Sequence, residues 1–194
     1  MERKLSNANP LRVKFGRKLN QVIERKGLTQ KYLAHMTGRS NATINNYTND
    51  YPASPNDAVN LANVADDTQF SEEIGNMMLG LLKSFTGPRM PRSNLSALLD
   101  VDEFEEHQEK QARDSGNIRL LIGNPEGLTA DDRAALREYL NQKLDSTLVD
   151  MTLLGAGADK LGITLMELFD ARMPAYIKNH YMEAGEPKWQ RKRV

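Results

Sequence analysis

Residues 29–47, TQKYLAHMTGRSNATINNY, constrain this chain more tightly than any other stretch. The pattern predicts two short helices joined by a tight turn. Thr29 is an N-cap candidate, because its hydroxyl can accept from free backbone N–H groups two or three residues on. Leu33, Ala34 and Met36 give the first helix its apolar positions. Gly38 stops it, since glycine readily takes the left-handed conformation of a helix end. Ser40 is a second N-cap candidate, opening a helix from Asn41 to about Asn49.

At 100° per residue, Ile44 and Tyr47 of this second helix share one side, with Thr43 beside them. Asn41, Ala42, Asn45, Asn46 and Asn49 fan across the other. Asparagine is a poor helix former, so four on one face call for a use. Two short helices with a tight turn, the second carrying a polar outward face, is how a DNA-reading helix-turn-helix is built.

Gln30, Leu33, Ala34, Gly38, Ser40, Ile44 and Tyr47 stand at the spacing of the Xre/Cro–CI helix-turn-helix regulators. The stretch resembles that family over about residues 10–70. Arg39 and Thr37 depart from it, being more polar than is usual there. The resemblance implies a lambda-repressor-like five-helix domain and a repressor, often phage-encoded, that reads double-stranded operator DNA in the major groove. On this reading Asn41, Ala42, Asn45, Asn46 and Asn49 lie against bases. Asparagine pairs with adenine N6 and N7, so adenines should matter in the site. Gln30, which could alternatively brace Asn41, joins Lys31, Arg39, Ser40, Arg17 and Thr48 as the phosphate contacts.

Net charge is zero, but it is unevenly spread. Ten of the 26 Lys and Arg fall in residues 1–50, against three of the 26 Asp and Glu. That quarter carries +7 and the remainder −7, a polyanion-binding end followed by an acidic region with another task. The chain has no cysteine, hence no disulfide framework and no thiolate metal site. No apolar run approaches the roughly 18 residues of a membrane span. These features favour a cytoplasmic protein, nucleoid-associated when bound to DNA.

The expected layout is all-α: a DNA-binding domain over 1–86, a linker over 87–94, a helical oligomerisation or partner region over 95–185, and a basic tail over 186–194. Arg3 and Lys4 could form a mobile basic arm. Asn9-Pro10 reads as a cap opening a helix to about Lys26, with Leu11, Phe15, Leu19, Val22 and Ile23 facing the core. Arg12, Lys14, Arg17 and Lys18 crowd its first half and some should reach phosphates. Ser54-Pro55 opens another helix, with Asp57 able to complete a capping box. Ser71 opens one running to Phe85. Residues 95–99 read as a packed turn, 102–114 as a helix, and 117–122 as either strand or helix turn. Thr129 with Asp132 opens the longest helix, broken at Gly155 and Gly157. Thr164 with Glu167 opens the last.

An enzyme should show a site. The sequence holds no Gly-rich phosphate loop and no nucleophile elbow, and its three histidines are scattered. Glu103 and His107 lie one turn apart, but no third metal ligand is evident. Ala156-Gly157 matches the cleavage dipeptide of self-cleaving repressors, yet the 37 residues after it read as helical rather than as a β-rich protease domain. No catalytic residue, cofactor or metal is expected. The partners expected are operator DNA and a second copy of the chain. The alternative is a protein-interaction module, antitoxin-like or polymerase-binding, that uses the acidic helical region.

Overall fold

The computed structural model describes residues 12–123 and 127–183. The arm at Arg3 and Lys4, the cap at Asn9-Pro10, Leu11 and the tail around Trp189 lie outside the described residues. Those described are all-helical, with α1 Gly16–Lys26, α2 Gln30–Thr37, α3 Asn41–Thr48, α4 Pro55–Ala65, α5 Thr68–Leu79, α6 Leu95–Ser115, α7 Ile118–Ile122, α8 Ala130–Leu161 and α9 Leu165–Lys178. Among them no helix is long and apolar enough to cross a membrane. The described residues form two compact units, one of residues 12–83 together with 164–183, the other Ser84–Ile163.

In the first unit Phe15, Leu19, Val22, Leu33, Ile44, Tyr47, Leu61 and Phe70 form one core, with Ile23 partly buried against it. The Phe15 ring packs on Tyr47 at 6.1 Å and edge-on to Phe70 at 5.8 Å between centroids. α1 starts at Gly16. Residues 12–15 are not helical, and Val13 exchanges backbone hydrogen bonds with Ala53, 3.1 and 2.9 Å. The helix begins where Gly16 lets two backbones touch: a Cβ there would lie 2.5 Å from the Asp50 nitrogen and 2.6 Å from the Tyr47 oxygen.

α5 begins at Thr68 rather than Ser71, because the Asp67 side chain caps it by accepting from the Phe70 N–H. It stops at Leu79 rather than Phe85, because Gly80 turns left-handed (φ 69°) and the Asn76 amide donates to the Leu81 carbonyl at 2.6 Å. α9 groups with this unit and not with residues 95–163. Its first N–H, of Leu165, donates to the Thr68 hydroxyl at 3.1 Å, and the expected Thr164–Glu167 capping box is present.

The second unit is a long helical hairpin of α6 and α8, with Leu98, Val149, Thr152 and Ala156 buried and Ile118 of α7 beneath. Residues 95–99, read as a turn, are the first turns of α6, capped by Asn94. Residues 117–122 resolve to a single helical turn. Residues 84–94 are packed rather than a free linker: Phe85 donates its N–H to the Thr152 hydroxyl at 2.9 Å, and Arg92 reaches Asp159 across Gly155. α8 opens with the expected Thr129–Asp132 capping box but runs unbroken through Gly155 and Gly157 to a left-handed Gly162. One glycine in a helix costs only about 1 kcal/mol, which packing readily offsets.

Two glycine substitutions test this geometry by urea denaturation. Gly157→Ala meets nothing within 4 Å and should stabilise by about 0.5–1 kcal/mol as the interior of a continuous helix; a loss would show that α8 is interrupted there. Gly16→Ala should destabilise by at least about 2 kcal/mol, because backbone rather than a movable side chain must give way.

Candidate nucleic-acid interface

α2 and α3 are held by local chemistry at each end. The Thr29 hydroxyl accepts from the Tyr32 N–H, and the Ser40 hydroxyl accepts from the Thr43 N–H. Gly38 is left-handed at φ 64°, and Arg39 N–H returns to the Ala34 carbonyl at 2.9 Å. The turn stays tight despite its two polar residues, since each has an internal use. The Thr37 hydroxyl donates to the Leu33 carbonyl at 2.7 Å, and the Arg39 Nε donates to Asp57 at 2.6 Å.

Asp57 is the centre of this region. It is 6 % exposed and stands at the third position of α4. Its carboxylate accepts from the Tyr47 hydroxyl at 2.7 Å, the Ser54 hydroxyl at 2.9 Å and the Arg39 guanidinium. Ser54 caps α4, but the Asp57 carboxylate turns to Tyr47 and Arg39 instead of completing a capping box on the Ser54 backbone. Burial alone would raise its pKa; the hydrogen bonds from Tyr47, Ser54 and Arg39, with the Arg39 charge, together hold it below the ordinary 3.8. Burial, then the bond to Asp57, pushes the Tyr47 hydroxyl up to about 12, so it remains a donor. Sequence reasoning missed this cluster because its members are 3, 10 and 18 residues from Asp57.

With Ile44 and Tyr47 buried below, Asn41, Ala42, Asn45, Asn46 and Asn49 are all exposed on the opposite side of α3. The side chains of Asn41, Asn45 and Asn46 make no hydrogen bond among the described residues. Asn49 sits at the C-cap and donates to the Asn45 carbonyl at 2.8 Å. That leaves an amide face with three members uncommitted.

The expected phosphate contacts divide. Lys31 and Arg17 are exposed with no ion pair among the described residues, as are Arg12 and Lys14. Thr48 is a correction: it is buried, its hydroxyl donating to the Asn45 carbonyl and accepting from Gln30. Gln30 therefore braces Thr48 and not Asn41. Arg39 is partly committed to Asp57, with 46 % of its side chain exposed. Ser40 is exposed but spends its hydroxyl on the cap and on Thr43, 2.9 Å away. Lys18 pairs with the buried Glu73, which also takes Lys83.

In the second unit the fold gathers Asp102, Glu106 and Asp150, not Glu103 and His107. Their carboxylate oxygens lie within 4.8 Å of one another. Burial, then Asp150, then Glu106 and Glu103 push the Asp102 carboxyl up to about 6. The signal available in the sequence was the one-turn spacing of Asp102 and Glu106, but Asp150 comes from another helix. No protein-family model, curated protein or solved structure matches the chain at a significant level.

The two carboxylates make stability depend on pH in opposite senses. Asp57, with its pKa lowered, stabilises the first unit above its unfolded value of 3.8; that contribution is lost as pH falls below it. Asp102, with its pKa raised, favours the folded second unit increasingly as pH falls from about 6 towards 3.8. Hydrogen exchange read on peptides of α3–α4 and of α6–α8 should show the second unit better protected at pH 4.5 than at pH 7.5. Asp102→Asn should remove that gain. Equal loss of protection in both units over this range would contradict the assignment.

Proposed function

We propose that the first unit is a sequence-specific, double-stranded DNA-binding module of Xre/Cro–CI type, and that the chain is a transcriptional regulator, a repressor by its resemblance, without enzymatic activity. The observation that carries this reading is the exposed, uncommitted amide surface of α3, backed by Ile44 and Tyr47 and flanked in sequence by unpaired cations. A helix of this kind in the major groove places Asn41 and Asn45 at base edges, with Ala42 and Asn46 beside them and Asn49 at the rim. Lys31 and Arg17, with Arg12 and Lys14, supply phosphate contacts that fix position without reading sequence.

Ser40 and Arg39 lie at the start of this helix, where a phosphate meets backbone N–H groups as well as side chains. The regulator acts in the cytoplasm as a homodimer, reading half-sites about 34 Å apart. Its recruitment needs no cofactor, and a phage or mobile-element setting follows from the same resemblance.

The test begins with duplexes selected from a random pool. Asn45→Ala should lose roughly 1–3 kcal/mol on the selected site and little on random DNA; equal loss on both would show that Asn45 reads no base. Lys31→Ala should weaken both equally and reduce the slope of log affinity against log salt by about one. A wild-type affinity indifferent to salt would contradict the phosphate contacts.

A further inference from the structure

α8 has a second face that its own unit leaves open. At 100° per residue, Leu140, Leu144, Thr147, Met151 and Leu154 fall within an arc of about 80°, opposite the buried Val149 and Ala156. Leu140, Leu144 and Leu154 are 54 %, 41 % and 50 % exposed, and Thr147 and Met151 are half-buried. The spacing alternates four and three residues, the repeat that keeps an apolar seam facing a partner helix. It spans two heptads, short for a free coiled coil but suited to a helix already rigid within a hairpin.

The flanking charges select the occupant and its direction. Lys143 and Asp150 border the stripe on the same side, seven residues apart. Continuing towards the N-terminus, the alternating four- and three-residue register reaches Arg137 and Arg133, with the half-buried Leu136 beside them. A parallel copy would set each of these arginines against itself. An antiparallel copy avoids that, setting Arg137 instead beside Leu154 of the second copy. It places Leu140 against Met151 of the second copy and Leu144 against its Thr147, each twice, and brings Lys143 opposite its Asp150, also twice. Lys143 is 48 % exposed and already touches Glu109. The Asp102, Glu106 and Asp150 carboxylates cluster within 4.8 Å and have no salt bridge among the described residues, so a lysine from outside adds countercharge to that of the chain's own Lys143, which already acts on Asp150.

We propose that two copies of this chain pair antiparallel through the Leu140–Leu144–Met151 face of α8, with Lys143 of each seated by the carboxylates around Asp150 of the other. The inference deepens the regulator reading, since two reading helices need one symmetric joint, but the pairing is measured without DNA, so either can fail alone.

The full chain should sediment at about 44 kDa, twice the 21.9 kDa of one copy. Leu144→Glu should raise the dimer dissociation constant more than about tenfold with an unchanged far-ultraviolet spectrum, because Leu144 is exposed within its own unit. The chain has no cysteine, so direction can be read by crosslinking. Leu140→Cys with Met151→Cys should give a disulfide dimer on mild oxidation. Leu140→Cys alone should not, since the two sites would lie about 16 Å apart along the axis. A wild type that stays monomeric at 100 µM, or a dimer untouched by Leu144→Glu, overturns the surface. Efficient crosslinking of Leu140→Cys alone, or none in the double variant, overturns the antiparallel pairing.

Discussion

A buried carboxylate with three donors, Asp57, ties the end of α3 to the turn before it and to the start of α4. Tyr47 reaches it from the last turn of α3, Arg39 from the turn after α2, and Ser54 from the cap of α4. A charge buried this deeply is tolerated only when its lone pairs are filled. The cluster therefore specifies one arrangement of three segments, and any displacement of α3 would strand a desolvated carboxylate. The orientation of the asparagine face depends on that lock. Ile44 and Tyr47 supply the apolar footing, and Gln30 fixes the buried Thr48 from α2.

What was legible in the sequence was local. Thr29, Ser40, Ser54, Thr129 and Thr164 all cap the helices they were read to open, and Gly38 ends α2 in the left-handed conformation. In each case cause and effect lie within about four residues. The exposure of Asn41, Asn45 and Asn46 followed from helical periodicity, which is equally local. What was not legible depended on partners far along the chain. The start of α1 is set by Ala53, forty residues from Val13, and by the contact of Gly16 with the backbone at Tyr47 and Asp50. Thr48 looked like a surface hydroxyl because nothing nearby in sequence announces Gln30. Gly155 looked like a helix breaker because its use, making room for Arg92, arises only when residues 84–94 fold onto α8.

The two units divide their chemistry. The first pairs its buried anions with its own cations, Asp57 with Arg39, Asp67 with Arg25, and Glu73 with Lys18 and Lys83. Arg12, Lys14, Arg17 and Lys31 remain unpaired among its described residues, which suits a polyanion. The second concentrates carboxylates along the α6–α8 seam and leaves leucines on the far side of α8. That suits a protein surface. The proposed tasks, reading and assembly, divide along the same line.

The most direct test of the central claim follows the side-chain amide resonances of Asn41 and Asn45 during titration with duplex DNA carrying the selected site. The account predicts that both shift strongly at stoichiometric DNA while the exposed side-chain amide of Asn141 on α8 does not. Saturation of the DNA with the α3 amides unmoved would contradict it.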